Sequence, residues 1–359
     1  MIAQFHRRLI PYYNLWLKLV YSTHLLNFGS EINCVMQKLT SLALPWPTNW
    51  GAQFGAERPL ILEIGFGYGA FLIHLARQNP DANVIGVEVA SKCLTAAENA
   101  VERQKLTNVR IVHSTAETAL HHLFQPTTIN QVHINFPDPW FKKKHGHRRL
   151  MQHDTLDAIV NRLQPGGLLY LATDIIEYAE MSAELLAETP GLDNRLDTPW
   201  ALTMPGRVVT KYEGRALRDG RDCYYFAYQR NTITAPTIAV IQELDMPHIV
   251  FKSPLTLDDM LEKFESSEHH SGDTHISILN GYRGKNVLLF EVYVKEPTIE
   301  QRVALILAER PDEHEYTLKL GVIGHPRPTD GLHKATGILG DWLVGLHPDT
   351  EILKRKIKE

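Results

Sequence analysis

The chain has 359 residues, 44% of them hydrophobic and 22% charged, with a net charge of −4. That length accommodates two domains with separate cores, and the composition excludes fibrous, low-complexity and membrane-embedded architectures. A chain without an overall basic balance can bind nucleic acid only through local patches. Its three cysteines, Cys34, Cys93 and Cys223, lack metal or redox spacing, which argues against a disulfide framework and for a cytoplasmic setting.

At the N-terminus, Arg7 and Arg8 precede an apolar stretch from Leu9 to Phe28 with the outline of a signal peptide. Lys18 and His24 interrupt it, no A-x-A-like site follows, and it is too polar for a comfortable membrane span. Residues 1–50 are therefore expected to form a helical, partly disordered extension without membrane contact, with Met36 as a candidate translation start.

From Pro59 onward the pattern alternates strand and helix. Strands are predicted at Leu60–Ile64, Val84–Val89, Val109–His113, Val132–Phe136 and Leu168–Ala172. Helices are predicted at Gly69–Gln78, at Ser91–Leu106 with Ser91 as N-cap, at Met151–Leu163 ending before Pro165-Gly166-Gly167, and at Ile175–Glu188. Such alternation implies an α/β fold, a Rossmann-like parallel sheet covered on both faces. Ligands of such sheets sit beyond the carboxyl ends of the strands, at the topological switch.

The first strand runs into LEIGFGYGA, with Glu63, Gly65, Gly67 and Gly69. Glycines there permit a tight turn and close backbone approach to a ligand. Glu88 ends the second strand, where a carboxylate can accept hydrogen bonds from both ribose hydroxyls. The spacing also matches a dinucleotide fingerprint, so a nicotinamide enzyme is the competing reading. Glu63 tilts the choice, because a carboxylate is unwelcome beside a pyrophosphate but suits the ammonium group of S-adenosyl-L-methionine.

The segment NFPDPWFKKKHGHRRL, Asn135 to Leu150, joins an aspartate between two prolines, an aromatic pair and a basic loop. Pro137 and Pro139 fix their own φ and push the preceding residues toward extended geometry, which suits a carboxylate that must be aimed. Trp140 and Phe141 offer faces for base stacking. Lys142, Lys143, Lys144, Arg148 and Arg149 suit phosphates, with His145 and His147 assisting when protonated. The bland alternative is a solvated charge run.

The glycine turn, NFPDPW with its basic loop, ATD at Ala172–Asp174 and TKYEGR at Thr210–Arg215 occur together and in order. In these the chain resembles the bacterial tRNA (guanine-46-N7)-methyltransferases, a class I S-adenosylmethionine-dependent family, over roughly residues 50–230. The resemblance implies a seven-stranded class I methyltransferase sheet with its last strand antiparallel, and Arg221–Gln229 as a late strand of it. It implies that Glu63 and Glu88 hold the cofactor with Gly65 and Gly67, and that Asp138 is catalytic. It places Lys142, Asp174, Thr210 and Glu213 on the tRNA. Thr115 stands where the family usually has an aspartate near the adenine, and Arg215-Ala216 stands where it commonly has Arg-Gly.

The chemistry agrees. Guanine N7 carries a lone pair and no proton, so methylation needs orientation more than a base. A fixed carboxylate accepting from N1–H and the amino group would hold the guanine and stabilise the positive charge it acquires. Asp138 is the first candidate and Asp174 the second. Asp174 also reads as a cap of the helix that follows, and Glu213 as a surface residue beside Arg215.

Residues 51–230 thus read as the methyltransferase domain and 231–359 as a smaller C-terminal α+β domain without an assigned role. In the latter, Thr232–Pro236 is a linker, His275–Asn280 and Val287–Val294 form a hairpin, Thr317–Ile323 is a strand, and Gly331–Leu346 is a helix. Its basic tail, Lys354–Lys358, motivates an accessory tRNA-binding or dimerisation role; monomer and homodimer both remain open. The 18 histidines lack partners at zinc spacing, so no metal is expected and most are read as surface or phosphate-facing. Two alternatives stay beside the tRNA methyltransferase: a class I methyltransferase acting on another RNA or a small molecule, and a tRNA-binding protein with a vestigial cofactor site.

Overall fold

In the computed structural model, which describes residues 38–140, 146, 148–312, 314–323 and 325–358, the apolar runs of the first half line up as one sheet. Its strands are β1 (Lys38–Thr40), β2 (Leu60–Ile64), β3 (Asn83–Glu88), β4 (Val109–His113), β5 (Ile129–Asn135), β6 (Leu163–Thr173), β7 (Leu192–Asn194) and β8 (Tyr224–Arg230). They lie in the order β1-β4-β3-β2-β5-β6-β8-β7. β1 to β6 pair in parallel, and β8 runs antiparallel to β6 and β7. This is the Rossmann-like class I order with one strand added at the edge. The chain winds outward from β2 to β3 and β4, then crosses to the other side of β2 at β5. The switch point therefore lies between β2 and β5.

The covering helices are α1 (Trp50–Phe54), α2 (Ala70–Gln78), α3 (Ser91–Arg103), α4 (His153–Arg162), α5 (Ile176–Ala187) and α6 (Lys211–Arg218). Successive strand residues face opposite cores. Ile61 and Val84 pack with Leu72 and Leu94 on one side; Leu62 and Ile85 pack with Leu120, Phe124 and Ile159 on the other. Burial on both faces explains why these strands read as continuous apolar runs.

Three expectations need correction. Residues 38–49 are not a loose helical extension: they form β1 and bring Leu44 and Trp46 into the core. Residues 1–37 lie outside the described residues, Met36 among them. Ser91 is the first helical residue of α3 and not its cap; that position is Ala90, whose N–H is bound by the Glu88 carboxylate. Pro165-Gly166-Gly167 does not separate α4 from its strand. β6 begins at Leu163, and the register jumps from Leu163 to Leu168 opposite Ile129 and Gln131, so the tripeptide sits in a bulge.

The second half forms another sheet, from β9 (His248–Lys252), β10 (Ser267–Ser271), β11 (Thr274–Arg283), β12 (Val287–Glu296), β13 (Ile299–Glu309), β14 (Glu315–Leu320) and β15 (Glu351–Lys356). Their order is β10-β11-β12-β13-β14-β9-β15, antiparallel throughout. Leu288, Phe290, Val292 and Val294 alternate along β12 and pack with α7 (Leu257–Glu262) and α8 (Asp330–Gly345) into a separate core. The predicted hairpin is β11–β12, longer than its sequence signal and bulged near Asn280.

The stretch 231–247 is fastened to the first sheet. Arg162, fully buried, donates to the carbonyls of Ile238 and Ala239, and Asn161 donates to that of Pro236. Gln37–Glu359 accordingly forms one compact unit. Among the described residues, no helix is long and apolar enough to cross a membrane.

Candidate active site

The glycine turn follows β2 at the switch point. Gly65, Gly67 and Gly69 all have positive φ (72°, 55° and 80°), which L side chains rarely adopt. A Cβ on Gly69 would also lie 2.7 Å from that of Ala97 on α3. Beneath the turn, Glu63 is 1% exposed. Asn135, at the end of β5 across the switch point, donates to its Oε1 at 3.0 Å, while its Oε2 is buried without a partner. Burial is the main reason its carboxyl is pushed up to about 8; the Asn135 hydrogen bond and the Arg207 charge pull the other way.

Arg207 was not singled out by the sequence. Its Nη2 donates to Asn135 Oδ1 at 2.7 Å, and its guanidinium lies 4.5 Å from the Phe71 ring centroid and 5.2 Å from that of Tyr225. An Arg207–Asn135–Glu63 chain thus floors the cleft. No local pattern marks Arg207, because the loop that carries it is irregular and its partners are remote in sequence.

Glu88 stands at the end of β3, as expected for a ribose ligand. Its Oε2 accepts from the Gly67 N–H at 3.0 Å, and its Oε1 from Val89 and Ala90 at 2.8 and 2.9 Å. Thr115 follows β4 and is occupied locally. Its hydroxyl accepts from the Thr118 N–H and donates to the Thr118 hydroxyl, both at 3.1 Å, as the N-cap of the short turn Ala116–Thr118.

Asp138 is exposed beside the cleft, close enough for its charge to act on Tyr212 and Tyr178. The prolines were expected to extend their predecessors. Phe136, before Pro137, instead takes φ 51°; Trp140, which follows Pro139, takes 43°. Two bulky residues in the left-handed region mark a strained, tightly specified loop. The arginines after it divide. Arg148 lies 5.2 Å from the Trp140 ring centroid, on a face expected to stack a base. Arg149 is engaged in structure: its Nε donates to Pro139 O at 2.9 Å and its Nη1 contacts Met181 Sδ at 3.2 Å. It pins the loop to α5, so its assignment to phosphate is corrected. Phe141, Lys142, Lys143, Lys144, His145 and His147 lie outside the described residues.

Thr210 and Glu213 form a reciprocal capping box at the start of α6, each side chain bonding the other's N–H at 3.2 Å. Tyr225 donates to Glu213 Oε1 at 2.7 Å. Glu213 is therefore buried, not a surface residue beside Arg215. The Thr-x-x-Glu spacing is itself a capping-box signature and carried that signal. The cap seats α6 on the glycine turn: Lys211 Nζ lies 4.2 Å from the Tyr68 ring centroid, and Tyr212 lies over Gly67. Asp174 does not cap α5, whose N-cap position is Ile175; its carboxylate pairs with Arg221.

A donor with a cation fits this floor, since Glu63 Oε2 is buried without a partner and an ammonium group beside it would favour the ionised carboxylate. The space between the glycine turn and α6 measures about 40 Å³. Among the described residues, no cluster of three or more His, Cys, Asp or Glu side chains could hold a metal ion. Several histidines read as surface or phosphate-facing are buried: His122, His133 and His333. Burial pushes His122 and His133 down to about 3, so both are neutral packing groups at pH 7.

Residues 57–226 match a family model described as a putative methyltransferase. A tRNA (guanine-N(7)-)-methyltransferase of Syntrophotalea carbinolica is 36% identical over 189 residues, which cover 53% of this chain and 82% of that protein. One from Paraburkholderia xenovorans is 39% identical over 186 residues, covering 52% and 71%. Among solved structures, the 16S rRNA methyltransferase KamB is 19% identical with a TM-score of 0.39, covering 50% of this chain and 92% of that one.

Proposed function

This chain belongs to the tRNA (guanine-N(7)-)-methyltransferase family, and we propose that it transfers the methyl group of S-adenosyl-L-methionine to N7 of guanine-46 in the tRNA variable loop. The observation that carries the donor is the partnerless, buried oxygen of Glu63. An ammonium group placed against it would satisfy that oxygen and favour the ionised carboxylate. When bound, S-adenosyl-L-methionine supplies an electrophilic methyl group on a sulfonium.

The chain's own residues do the rest. Gly65 and Gly67 let the backbone approach the donor, and Glu88 exchanges a backbone hydrogen bond for the ribose hydroxyls. Arg207 and Asn135 keep Glu63 aimed. Asp138 accepts from guanine N1–H and the amino group, aligning N7 with the methyl and offsetting the positive charge the ring gains. Thr210 and Glu213 act on the substrate indirectly, by fixing where α6 sits over the cleft. Asp174 positions Arg221, and Lys142 with its neighbouring cations takes tRNA phosphates. The setting is the cytoplasm and the macromolecular partner is tRNA.

The test is methyl transfer from labelled donor to unmodified tRNAs with and without guanine at the variable-loop position, with N7-methylguanine mapped by reductive aniline cleavage. Cleavage at that guanine alone supports the reading. Methylation elsewhere keeps the enzyme class and overturns the position; no transfer to any tRNA overturns the substrate.

A further inference from the structure

Next to the glycine-turn cleft lies a larger cavity of about 420 Å³, within the ~300–1,000 Å³ range of small-molecule sites. One wall comes from the first sheet: Val89, directly after Glu88, with Ser114 and Thr115 at the end of β4. The opposite wall is the β12–β13 turn with the strand ends that flank it, Lys295–Glu300, from the second sheet. That turn is locked in place. Thr118 Oγ1 donates to the Thr298 carbonyl at 2.7 Å, and His122 Nε2 lies 2.9 Å from Thr298 Oγ1. On the far side, the Glu296 carboxylate accepts from the Gly331 N–H at 2.9 Å.

The chemistry of the cavity suits a purine. Val89 is 56% exposed, an apolar platform beside the ribose carboxylate. Ser114 is 7% exposed and its hydroxyl has no hydrogen-bond partner. A hydroxyl both donates and accepts, as the adenine edge requires with its amino group and ring nitrogens. Thr115, at the position where the resemblance implies an adenine contact, already uses its hydroxyl on Thr118. A nucleoside whose ribose rests on Glu88 projects its base toward the end of β4, into this space.

We propose that the β12–β13 turn is the far wall of the purine end of the donor site, so that the second sheet completes the cofactor pocket, and that the Ser114 hydroxyl bonds the adenine edge. This rests on the donor assignment under Proposed function. The probe is S-adenosylhomocysteine carrying a photoreactive azide on its adenine ring, crosslinked to the full chain with and without excess unlabelled S-adenosylhomocysteine. Competable adducts within Lys295–Glu300 support the inference. Competable adducts elsewhere, with none on that turn, overturn it and leave the donor assignment standing; no competable adduct overturns both. Calorimetry on Ser114→Ala supplies a second measurement in a variant that loses no native hydrogen bond. The Kd for S-adenosylhomocysteine should rise about threefold to tenfold, the range of one net hydrogen bond. An unchanged Kd removes Ser114 from the site.

Discussion

Two groups of charges in this molecule have opposite fates. Glu63, at the switch point of the first sheet, is buried with one oxygen unsatisfied. On and after β15 in the second sheet, the cations lie at the surface and meet acids. Arg355 pairs with Asp341 at 3.1 Å, Lys356 with Asp245 at 2.9 Å and Lys358 with Asp330 at 2.8 Å. In the sequence the basic tail is the more conspicuous feature. In the fold Arg355, Lys356 and Lys358 are locally compensated, whereas the Glu63 carboxyl is not. A buried unsatisfied group costs about 1–3 kcal/mol, and a ligand that satisfies it recovers that cost on binding. Local compensation, rather than charge density, separates a ligand site from a solvated surface.

The sharpest way to break the contrast is Glu63→Gln. Loss of one partner of a buried charge pair should weaken S-adenosylhomocysteine binding by about 2–5 kcal/mol. The unliganded fold should keep its stability, because the change removes a carboxyl whose ionisation burial opposes. Calorimetry and thermal melts read the two effects; unchanged binding would end the role of Glu63. Next in size is Asp138→Ala, which should cost about 1–3 kcal/mol in kcat/KM, the scale of a lost bidentate base contact. Equal kcat/KM for variant and wild type would take Asp138 out of the reaction.

A pH series sharpens the same comparison. The Glu63 carboxyl lies at about 8 in the folded chain against an ordinary value of 4.5. The native state therefore holds a proton that the unfolded state has lost between those values, so stability from this group falls as pH rises from about 4.5 to 8. Donor binding runs the other way. An ammonium partner favours the carboxylate and expels the proton, so affinity should climb toward pH 8 by at most about 1.4 kcal/mol per unit. Glu63→Gln should flatten both slopes. A wild-type affinity independent of pH across that window would mean that Glu63 does not ionise on binding.

The parallel sheet was legible because its strands are buried on both faces and its turns are marked by glycine. Leu60–Ile64 and Val109–His113 fall where the sequence puts them. Edge and second-sheet elements were harder. β1 has three residues and gains its place only by pairing with β4. β15 is exposed along its whole length and has no apolar alternation to announce it. In the site, Glu63 and Glu88 were readable from their distance to the glycines. The partners that decide their state, Asn135 for one and three backbone N–H groups for the other, are products of topology. Glu213 was readable in position, while its burial was not, because the Tyr225 that bonds it comes from β8.

The smallest effect separates the two basic segments. Each phosphate contact contributes about one to the slope of log affinity against log salt. Neutralising Lys143 or Lys144 should lower the magnitude of the tRNA slope by at most about one apiece. Neutralising Arg355, Lys356 and Lys358 together should leave it unchanged, because each already faces a carboxylate and releases few counterions when RNA approaches. Filter binding across a salt series reads both. A fall of about three for the tail variant would mean that its acids yield to phosphate, making β15 part of the RNA surface. An unchanged slope for the lysine variants would instead take the basic loop off it.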